Sequence, residues 1–320
     1  MINDILHVKL KASSYEILKK TINSNNSSMK IIALTTCHNR KNKTLNALDS
    51  LHNQELSSDV NLDIVVVDDG STDGTSEAIS SKYDDVTLIQ GSGALYWNGG
   101  MQFGWQEYVS DKDFDKLLLF NDDIQLYKNA LSNLIETAKN LEKKGISKFA
   151  VVGAFKYKAK GSYHTSYGGV VRSTWWHPLK FKKLDPGQND YYFCDTLNMN
   201  FAIISKKAID SIGFLSPDYK HRMADYDFGL RLNKSGGKVV LAPGYVGECS
   251  RNPIKGSVFE PGLTFKERWS RLTNIKNQDP SERALYYRRH GGIFWPFYWV
   301  VPYARISLES IFKSIFKLRS

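Results

Sequence analysis

Cysteine is scarce in this 320-residue chain: Cys37, Cys194 and Cys249 stand far apart, and no CxxC pair occurs. That excludes a disulfide framework and a zinc knuckle as organising devices, and it fits a reducing cytoplasm. Long apolar runs are also missing. The most apolar stretch, Gly291 to Ala304, is fourteen residues long and contains Pro296 and Pro302, short of the about 20 residues that a membrane-crossing helix needs. The N-terminus lacks the apolar core and small-residue cleavage site of a signal peptide, because Met1 to Lys30 mixes Lys, Asn and Ser throughout. Export is not expected. There is no internal repeat.

What is present fits a folded protein. The chain is 42% hydrophobic and 24% charged, long enough to bury a large core in one or two domains. Its formal charge of +10 would suit nucleic acid, an anionic membrane surface or a polyphosphate substrate. The charge is unevenly spread: acidic residues crowd the middle, whereas Thr264 to Ser320 carries eleven Lys and Arg against four Asp and Glu.

Residues 1–28 end in the polar run Asn-Ser-Asn-Asn-Ser-Ser and are expected to be an N-terminal extension. Ser14 to Ile22 would form one short helix, and a start codon upstream of a native Met29 would explain the segment equally well. From Met29 the pattern alternates strand and helix: Lys30–Thr36, Asn42–Asn53; Asp63–Asp68, Thr75–Lys82; Val86–Gln90, Asn98–Val109; Lys116–Asn121, Asn129–Lys144. Ile64 to Val67 and Leu117 to Phe120 are apolar without alternation, as parallel strands covered on both faces require. The expectation is an α/β fold with a doubly wound, mostly parallel sheet. Beyond Ala150 the pattern loosens into strands at Ala150–Tyr157, Asn198–Ser205 and Lys238–Leu241, with helices near Lys206–Ile212 and Asp225–Lys234; this half is expected to build the acceptor side. Leu179 to Asp190, with its Pro-Gly step, is expected to be irregular.

In open α/β sheets, ligands bind beyond the carboxyl ends of the strands. Here those ends are polar: Thr35-Thr36-Cys37-His38-Asn39-Arg40, then Asp68-Asp69-Gly70-Ser71-Thr72-Asp73, then Asn121-Asp122-Asp123. Turn and helix-cap chemistry accounts for the second run alone. A second Asp pair ending another buried strand needs more, since clustered like charges are costly without a cation. Hard oxygen donors without a Cys or His cluster favour Mg²⁺ or Mn²⁺ held by one or two carboxylates and substrate phosphates, which implies a diphosphate donor. Such an ion would ease departure of the diphosphate. The glycine-rich loop Gly91 to Gly100 either simply turns or brings backbone amides close to a phosphate or sugar hydroxyl.

Five motifs in order, the opening strand to Asn39-Arg40, VVVDDGSTDGT, ALYWNGGMQFGW, NDDI and MADYDFGLRL, carry a resemblance to the inverting glycosyltransferases of family two, over Met29 to about Asn252. The resemblance implies a GT-A fold and a rhamnosyl- or hexosyltransferase of the bacterial polysaccharide or O-antigen type. By position, it makes Asp69 a contact to the nucleotide base, Asp123 with Asp122 the metal-bearing motif, and Asp225 the catalytic base. Thr36, Asn39, Arg40, Trp97, Asn98, Gly99, Gly100 and Asp122 complete the implied donor-binding set. Asp227, beside Asp225, is read as stabilising the helix start. Many relatives carry a metal-binding histidine after the last core strand, where this chain reads Gly244 to Asn252 without one; Glu248, Cys249 or water would take its place, or Arg251 would instead help neutralise the diphosphate, or Cys249 is simply buried. Trp97, Trp175, Trp176 and His177 either stack on sugars or pack in the core. His38 and His221 are given no role.

The division expected is therefore 1–28 extension, 29–262 GT-A domain, and 263–320 a basic, aromatic helical tail. In that tail Ile306, Leu308, Ile311, Phe312, Ile315, Phe316 and Leu318 have helical spacing, with Lys313, Lys317 and Arg319 toward another side, a pattern of interfacial membrane helices. Docking on the protein's own core or on a second subunit would explain it too. The partners expected are a nucleotide-diphosphate sugar, a glycan or lipid-linked acceptor, and the inner face of the cell membrane, with oligomer formation open. The alternative is a catalytically silent nucleotide-sugar binding module. Nucleic acid is not expected, because a basic tail beside an acidic site tracks phosphates poorly.

Overall fold

The continuous apolar runs become the middle of a single sheet. The computed structural model describes residues 28–159, 161–251, 254–258, 260–274 and 279–317, and of residues 309–317 the helical backbone alone. The N-terminal extension and most of the tail's helical apolar stripe thus lie outside the described residues or side chains.

The strands are β1 (Met29–Cys37), β2 (Val60–Asp68), β3 (Val86–Gln90), β4 (Lys116–Phe120), β5 (Gln125–Leu126), β6 (Phe149–Ala159), β7 (Ser162–Tyr167), β8 (Gly169–Arg172), β9 (Phe181–Lys183), β10 (Tyr192–Cys194), β11 (Thr196–Leu197), β12 (Phe201–Ser205) and β13 (Lys238–Glu248). The helices are α1 (Lys41–His52), α2 (Thr75–Lys82), α3 (Tyr96–Gly104), α4 (Ala130–Lys143), α5 (Lys206–Ile212), α6 (Ala224–Lys234), α7 (Phe265–Leu272), α8 (Pro280–His290) and α9 (Trp295–Lys317). Ten strands form the main sheet in the order β10-β13-β6-β12-β4-β1-β2-β3, with β5 beside β13 and β7 beside β6. β1 pairs in parallel with β2 and β4, β2 with β3, and β13 with β6. β12 enters antiparallel between β4 and β6. The expected mostly parallel α/β sheet is present, with β12 reversed at its centre and β10, β5 and β7 antiparallel toward one side.

Alternate strand residues serve two cores. Ile31, Ala33, Ile64, Val66 and Leu118 pack with Leu48 and Leu51 of α1 and Leu131 and Leu134 of α4 on one face. Ile32, Leu34, Val65, Val67, Leu117 and Leu119 pack with Met101 of α3 and Phe228 and Leu232 of α6 on the other. Because both faces are covered, alternation disappears from the sequence. α3 lies close to the sheet: a Cβ at Gly104 would stand 2.6 Å from Leu34 Cδ1 and 2.8 Å from Val67 Cγ2.

One expectation changes. Leu179 to Asp190 holds a strand, β9, which pairs with β8 in a small sheet ordered β11-β8-β9. Helix α8, within the segment 263–320, packs against the preceding part of the chain. Asp279 caps α8 by accepting from the amides of Ser281 and Glu282 at 2.9 and 3.3 Å, and Pro280 starts it. Glu282 then accepts from Lys220 N at 2.9 Å, Tyr286 is buried in the second core, and His290 meets Asp227 at 2.9 Å. Among the described residues, no helix is long and apolar enough to cross a membrane.

Candidate active site

The carboxyl ends of β1, β2 and β4, the turn before β12, the start of α6 and one side of α8 enclose a cleft of about 870 Å³. Its walls include Thr36, Arg40, Asp69, Trp97, Asp122, Asp123 and Asp225. Two strand ends and a helix start far along the chain thus deliver their carboxylates to one space, and the end of β1 adds Arg40.

Asp69 is buried, and its carboxylate accepts three backbone hydrogen bonds, from Gly93 N at 2.7 Å, Leu95 N at 2.9 Å and Tyr96 N at 3.1 Å. The glycine-rich loop is therefore folded around Asp69. A carboxylate has about four acceptor positions, so one is left toward the cleft. Asp68, fully buried, accepts from Ser71 N and from the Ser76 hydroxyl and closes the adjoining turn.

Arg40 lies between the acidic pair of β4. Its Nη1 is 3.0 Å from Asp122 Oδ1 and 3.2 Å from Asp123 Oδ2. The cation that two neighbouring aspartates require is, in part, this guanidinium. Burial pushes the Asp122 carboxyl up to about 6 although Arg40 opposes the shift. Asp123 is the more exposed of the two.

Asp225 stands in the first turn of α6. It accepts from Tyr226 N at 2.8 Å, and Asn198 and Met199 N also hydrogen-bond to it. Burial dominates these bonds and raises the carboxyl from 3.8 to about 6. Asp227, two residues on, is a different kind of group. It is fully buried, with Arg231 Nε at 2.7 Å, His290 Nε2 at 2.9 Å and the Tyr219 hydroxyl at 3.3 Å. Burial pushes it up, but His290 and Arg231 outweigh that and hold it below the ordinary carboxylate range. It clamps α8 to α6, a larger task than the helix-start role expected of it.

Several expected donor contacts are structural. Asn98 is fully buried; its Nδ2 donates to the carbonyls of Ser216, at 2.9 Å, and Tyr219. The amides of Asn98 and Gly99, free at the start of α3, both donate to Lys220 O, at 3.1 and 3.3 Å. Of the two readings left open for the Gly91–Gly100 loop, a plain turn or a cradle for phosphate or a sugar hydroxyl, these two amides fit the first, since a chain carbonyl accepts from both. Gly100 allows contact with β1, since a Cβ there would lie 2.3 Å from Thr36 Oγ1. Asn39 accepts from Thr72 N at 2.7 Å, while its Nδ2 meets His38 Nε2 at 3.1 Å and His38 Nδ1 donates to Asp69 O. Asn39 and His38 therefore tie the ends of β1 and β2 together. Asn39, Asn98, Gly99 and Gly100 do not line the cleft.

Trp97 does line it, with Nε1 donating to Asn121 Oδ1 at 3.0 Å. Trp175 and Trp176 are exposed outside the cleft, and His177 stacks on Tyr298 with ring centroids 4.1 Å apart; none of the three is placed to stack on a sugar there. Backbone strain gathers at this site. The three non-glycine residues with left-handed φ among those described are Asn39 (51°), Tyr96 (60°) and Met223 (71°), all at loops that shape it.

Sequence reasoning missed Tyr286 and Tyr287, on α8, and Asn198 and Asn200, before β12, all of which line the cleft. No local pattern marks them, since only the return of α8 to the domain brings the tyrosines in. The Tyr286 hydroxyl and Asn198 Oδ1 are buried with no hydrogen-bond partner among the described residues.

The donor set for a divalent ion is limited. Among the described residues no group of three or more His, Cys, Asp and Glu could hold a metal. Cys249 is buried, donates weakly to Asp123 O at 3.7 Å, and is pushed by burial up to about 12, so it is a thiol at neutral pH. Glu248 instead accepts from the Tyr127 hydroxyl at 3.2 Å. What remains, Asp123 with Asp122, fits the hard-cation mode in which substrate phosphates and water complete the shell.

A mostly parallel sheet with an inserted antiparallel strand is the GT-A glycosyltransferase fold, and solved structures share it. The crystal structure of GalNAc-T7 with UDP, GalNAc and Mn²⁺ matches with a TM-score of 0.56 at 14% identity, over 82% of this chain and 51% of that one. The mannosyltransferase PcManGT from Pyrobaculum calidifontis, in complex with GDP-Man and Mn²⁺, matches with a TM-score of 0.51 at 14% identity, over 88% and 68%. The sequence profile of glycosyl transferase family 2 covers residues 33–210, more than half of the chain, and the protein belongs to that family. A curated relative, N-acetylglucosaminyl-diphospho-decaprenol L-rhamnosyltransferase of Mycobacterium tuberculosis, is 21% identical over 206 residues, 59% of this chain and 66% of the relative. The chain spans just under two thirds of that relative's length.

Proposed function

We propose that this family 2 chain is an inverting glycosyltransferase that moves a hexosyl or rhamnosyl group from a nucleotide-diphosphate sugar to a lipid-linked or polysaccharide acceptor in bacterial surface-polysaccharide (O-antigen-type) synthesis. The observation that carries it is the convergence of Asp69, Asp122 and Asp123, and Asp225 on one cleft. The lipid-linked acceptor is supported by the name of the mycobacterial relative, and the nucleotide donor by the ligands of the two solved neighbours.

In this reading Asp225 accepts the proton of the acceptor hydroxyl. The freed oxygen attacks the anomeric carbon from the face opposite the diphosphate, the bond from that carbon to the diphosphate oxygen breaks, and the sugar inverts. A carboxyl near 6 is ionised at neutral pH yet more basic than an ordinary aspartate, which suits a general base. Asp69 uses its remaining acceptor position toward the nucleotide base. Arg40 faces the diphosphate from between Asp122 and Asp123, and Trp97 forms part of the donor wall. Mn²⁺ or Mg²⁺ on Asp123, beside Asp122, would supply Lewis-acid stabilisation of the departing diphosphate. The basic C-terminal segment holds the protein on the inner face of the membrane, where a lipid-linked acceptor resides.

The test is a thermal-shift screen of nucleotide sugars with and without manganese, followed by product analysis. One nucleotide sugar is expected to raise the melting temperature in proportion to occupancy, more so with manganese, and to yield a product of inverted configuration. No selective shift, or retention at the anomeric carbon, would overturn the reading.

A further inference from the structure

We propose that the chain docks on an anionic lipid bilayer through a two-part apolar platform, in which the Trp175-Trp176 loop of the catalytic domain and the Ile293–Phe297 segment insert together beside the mouth of the cleft. The proposal deepens the membrane-associated reading above and rests on it.

The first observation is exposure. Trp175 is 96% exposed and Trp176 53%, while Ile293, Phe294 and Phe297 are 85%, 65% and 63% exposed. Large apolar side chains left in water this openly, and in two places, need a partner. The second is that the two places are one surface. The Tyr298 hydroxyl donates to Trp176 O at 2.9 Å, and the Tyr298 ring stacks on His177. Segments more than a hundred residues apart are thereby fixed to each other before any membrane is met, which lowers the ordering cost of a joint insertion.

The third observation is charge, and it selects the occupant. Residues 172–183 and 283–308 hold eight Lys and Arg and no acidic residue; Arg172 and Arg289 pair with Asp195 and Asp218 and Arg283 is buried, while Lys180, Lys182, Arg288 and Arg305 are exposed. Lys180 lies 6.0 Å from the Trp176 ring centroid. Tryptophan and phenylalanine flanked by Lys and Arg without Asp or Glu match the headgroup region of an anionic leaflet, where the rings take the boundary and the cations meet phosphates.

The fourth is position. Leu179 and Phe181, which follow the tryptophan loop, and Tyr286 and Tyr287, which precede the Ile293–Phe297 segment, all line the cleft. Both halves of the platform are thus direct continuations of the cleft wall. An acceptor whose lipid stays in the bilayer would present its headgroup to Asp225 without leaving the surface.

The experiment is vesicle co-sedimentation of the full chain with phosphatidylcholine, with and without phosphatidylglycerol. Two variants are compared with the unaltered protein: Trp175→Ser/Trp176→Ser and Phe294→Ser/Phe297→Ser. Binding that needs phosphatidylglycerol, and a loss of at least about tenfold in partitioning for each variant, are expected, since each removes two insertable rings. The donor-induced thermal shift should be unchanged in both, which separates lost docking from lost folding. If the tryptophan variant partitions like the unaltered protein while the phenylalanine variant does not, the two-part platform is wrong and C-terminal attachment stands. If neither variant loses binding, the platform is wrong and attachment through the rest of the C-terminal segment stands; if the unaltered protein ignores vesicles, or instead self-associates through these residues, both are wrong.

Discussion

Asp225→Asn separates catalysis from stability in opposite directions. The carboxyl is raised from 3.8 to about 6 in the folded protein, chiefly by burial. A carboxyl whose folded pKa exceeds its unfolded one favours folding while protonated; that contribution is fully present below the unfolded value and is lost as pH rises through the folded one. At neutral pH the ionised group therefore works against folding. A shift of about two units corresponds to about 3 kcal/mol, and partial exposure reduces it, so about 1–3 kcal/mol is expected. Asparagine has nearly the same shape and keeps an oxygen for the Tyr226 amide, while its Nδ2 gives up an acceptor position toward Asn198 or Met199 N, which offsets part of the gain. Thermal unfolding at neutral pH should show Asp225→Asn melting a few degrees higher. Nucleoside-diphosphate release with the donor found by the screen should fall by about 10²–10⁴-fold, with donor binding retained. The unaltered enzyme should lose activity as pH drops through about 6, the value at which this base becomes protonated. Turnover within about threefold of normal would refute the assignment of this carboxylate as the base, and a lower melting temperature would refute the cost assigned to its charge.

Two further outcomes follow from neighbouring groups. Asp227→Asn leaves Arg231 and His290 facing a neutral partner in a buried site; a loss of about 3–5 kcal/mol is expected in denaturant titration, and proteolysis should cut first near α8. Asp227 is held below the ordinary range, so its stabilising contribution is present above the unfolded carboxylate pKa and fades as pH falls through the depressed folded value. A neutral-pH melting curve unchanged by the substitution would show that the clamp does not bear on folding. Tyr286→Phe removes a buried hydroxyl with no partner among the described residues; stability should stay level or rise by up to about 1 kcal/mol, while acceptor KM rises about tenfold if the hydroxyl binds substrate, and steady-state kinetics with varied acceptor reads the difference.

How far the chain could be read before folding depended on the range of each interaction. β1, β2 and β4 were legible because a strand buried on both faces leaves an unbroken apolar run, and α5 and α6 were legible by helical period. Asp69, Asp122 and Asp123 were legible as a candidate site because strand ends in a parallel sheet point to one edge, so their meeting needs only the topology. What stayed hidden shares a cause. The Gly91–Gly100 loop read equally as a turn or as a cradle, and Lys220 O, more than a hundred residues away, takes the amides of Asn98 and Gly99. Asp227 looked like a helix-start charge, yet its partner His290 comes from a segment read as a separate tail.

By itself, the sequence determined the class of sheet, the acidic edge and the basic, aromatic C-terminal segment, since each follows from residues adjacent in the chain or repeated at a fixed period. Only the tertiary structure decided that Arg40 stands between Asp122 and Asp123, that α8 closes the cleft with Tyr286 and Tyr287, and that Trp176 and Tyr298 hold two distant apolar segments side by side. Those pairings are set by how helices cover the sheet. That packing minimises exposed apolar area over the whole chain at once, so no short stretch of sequence contains it.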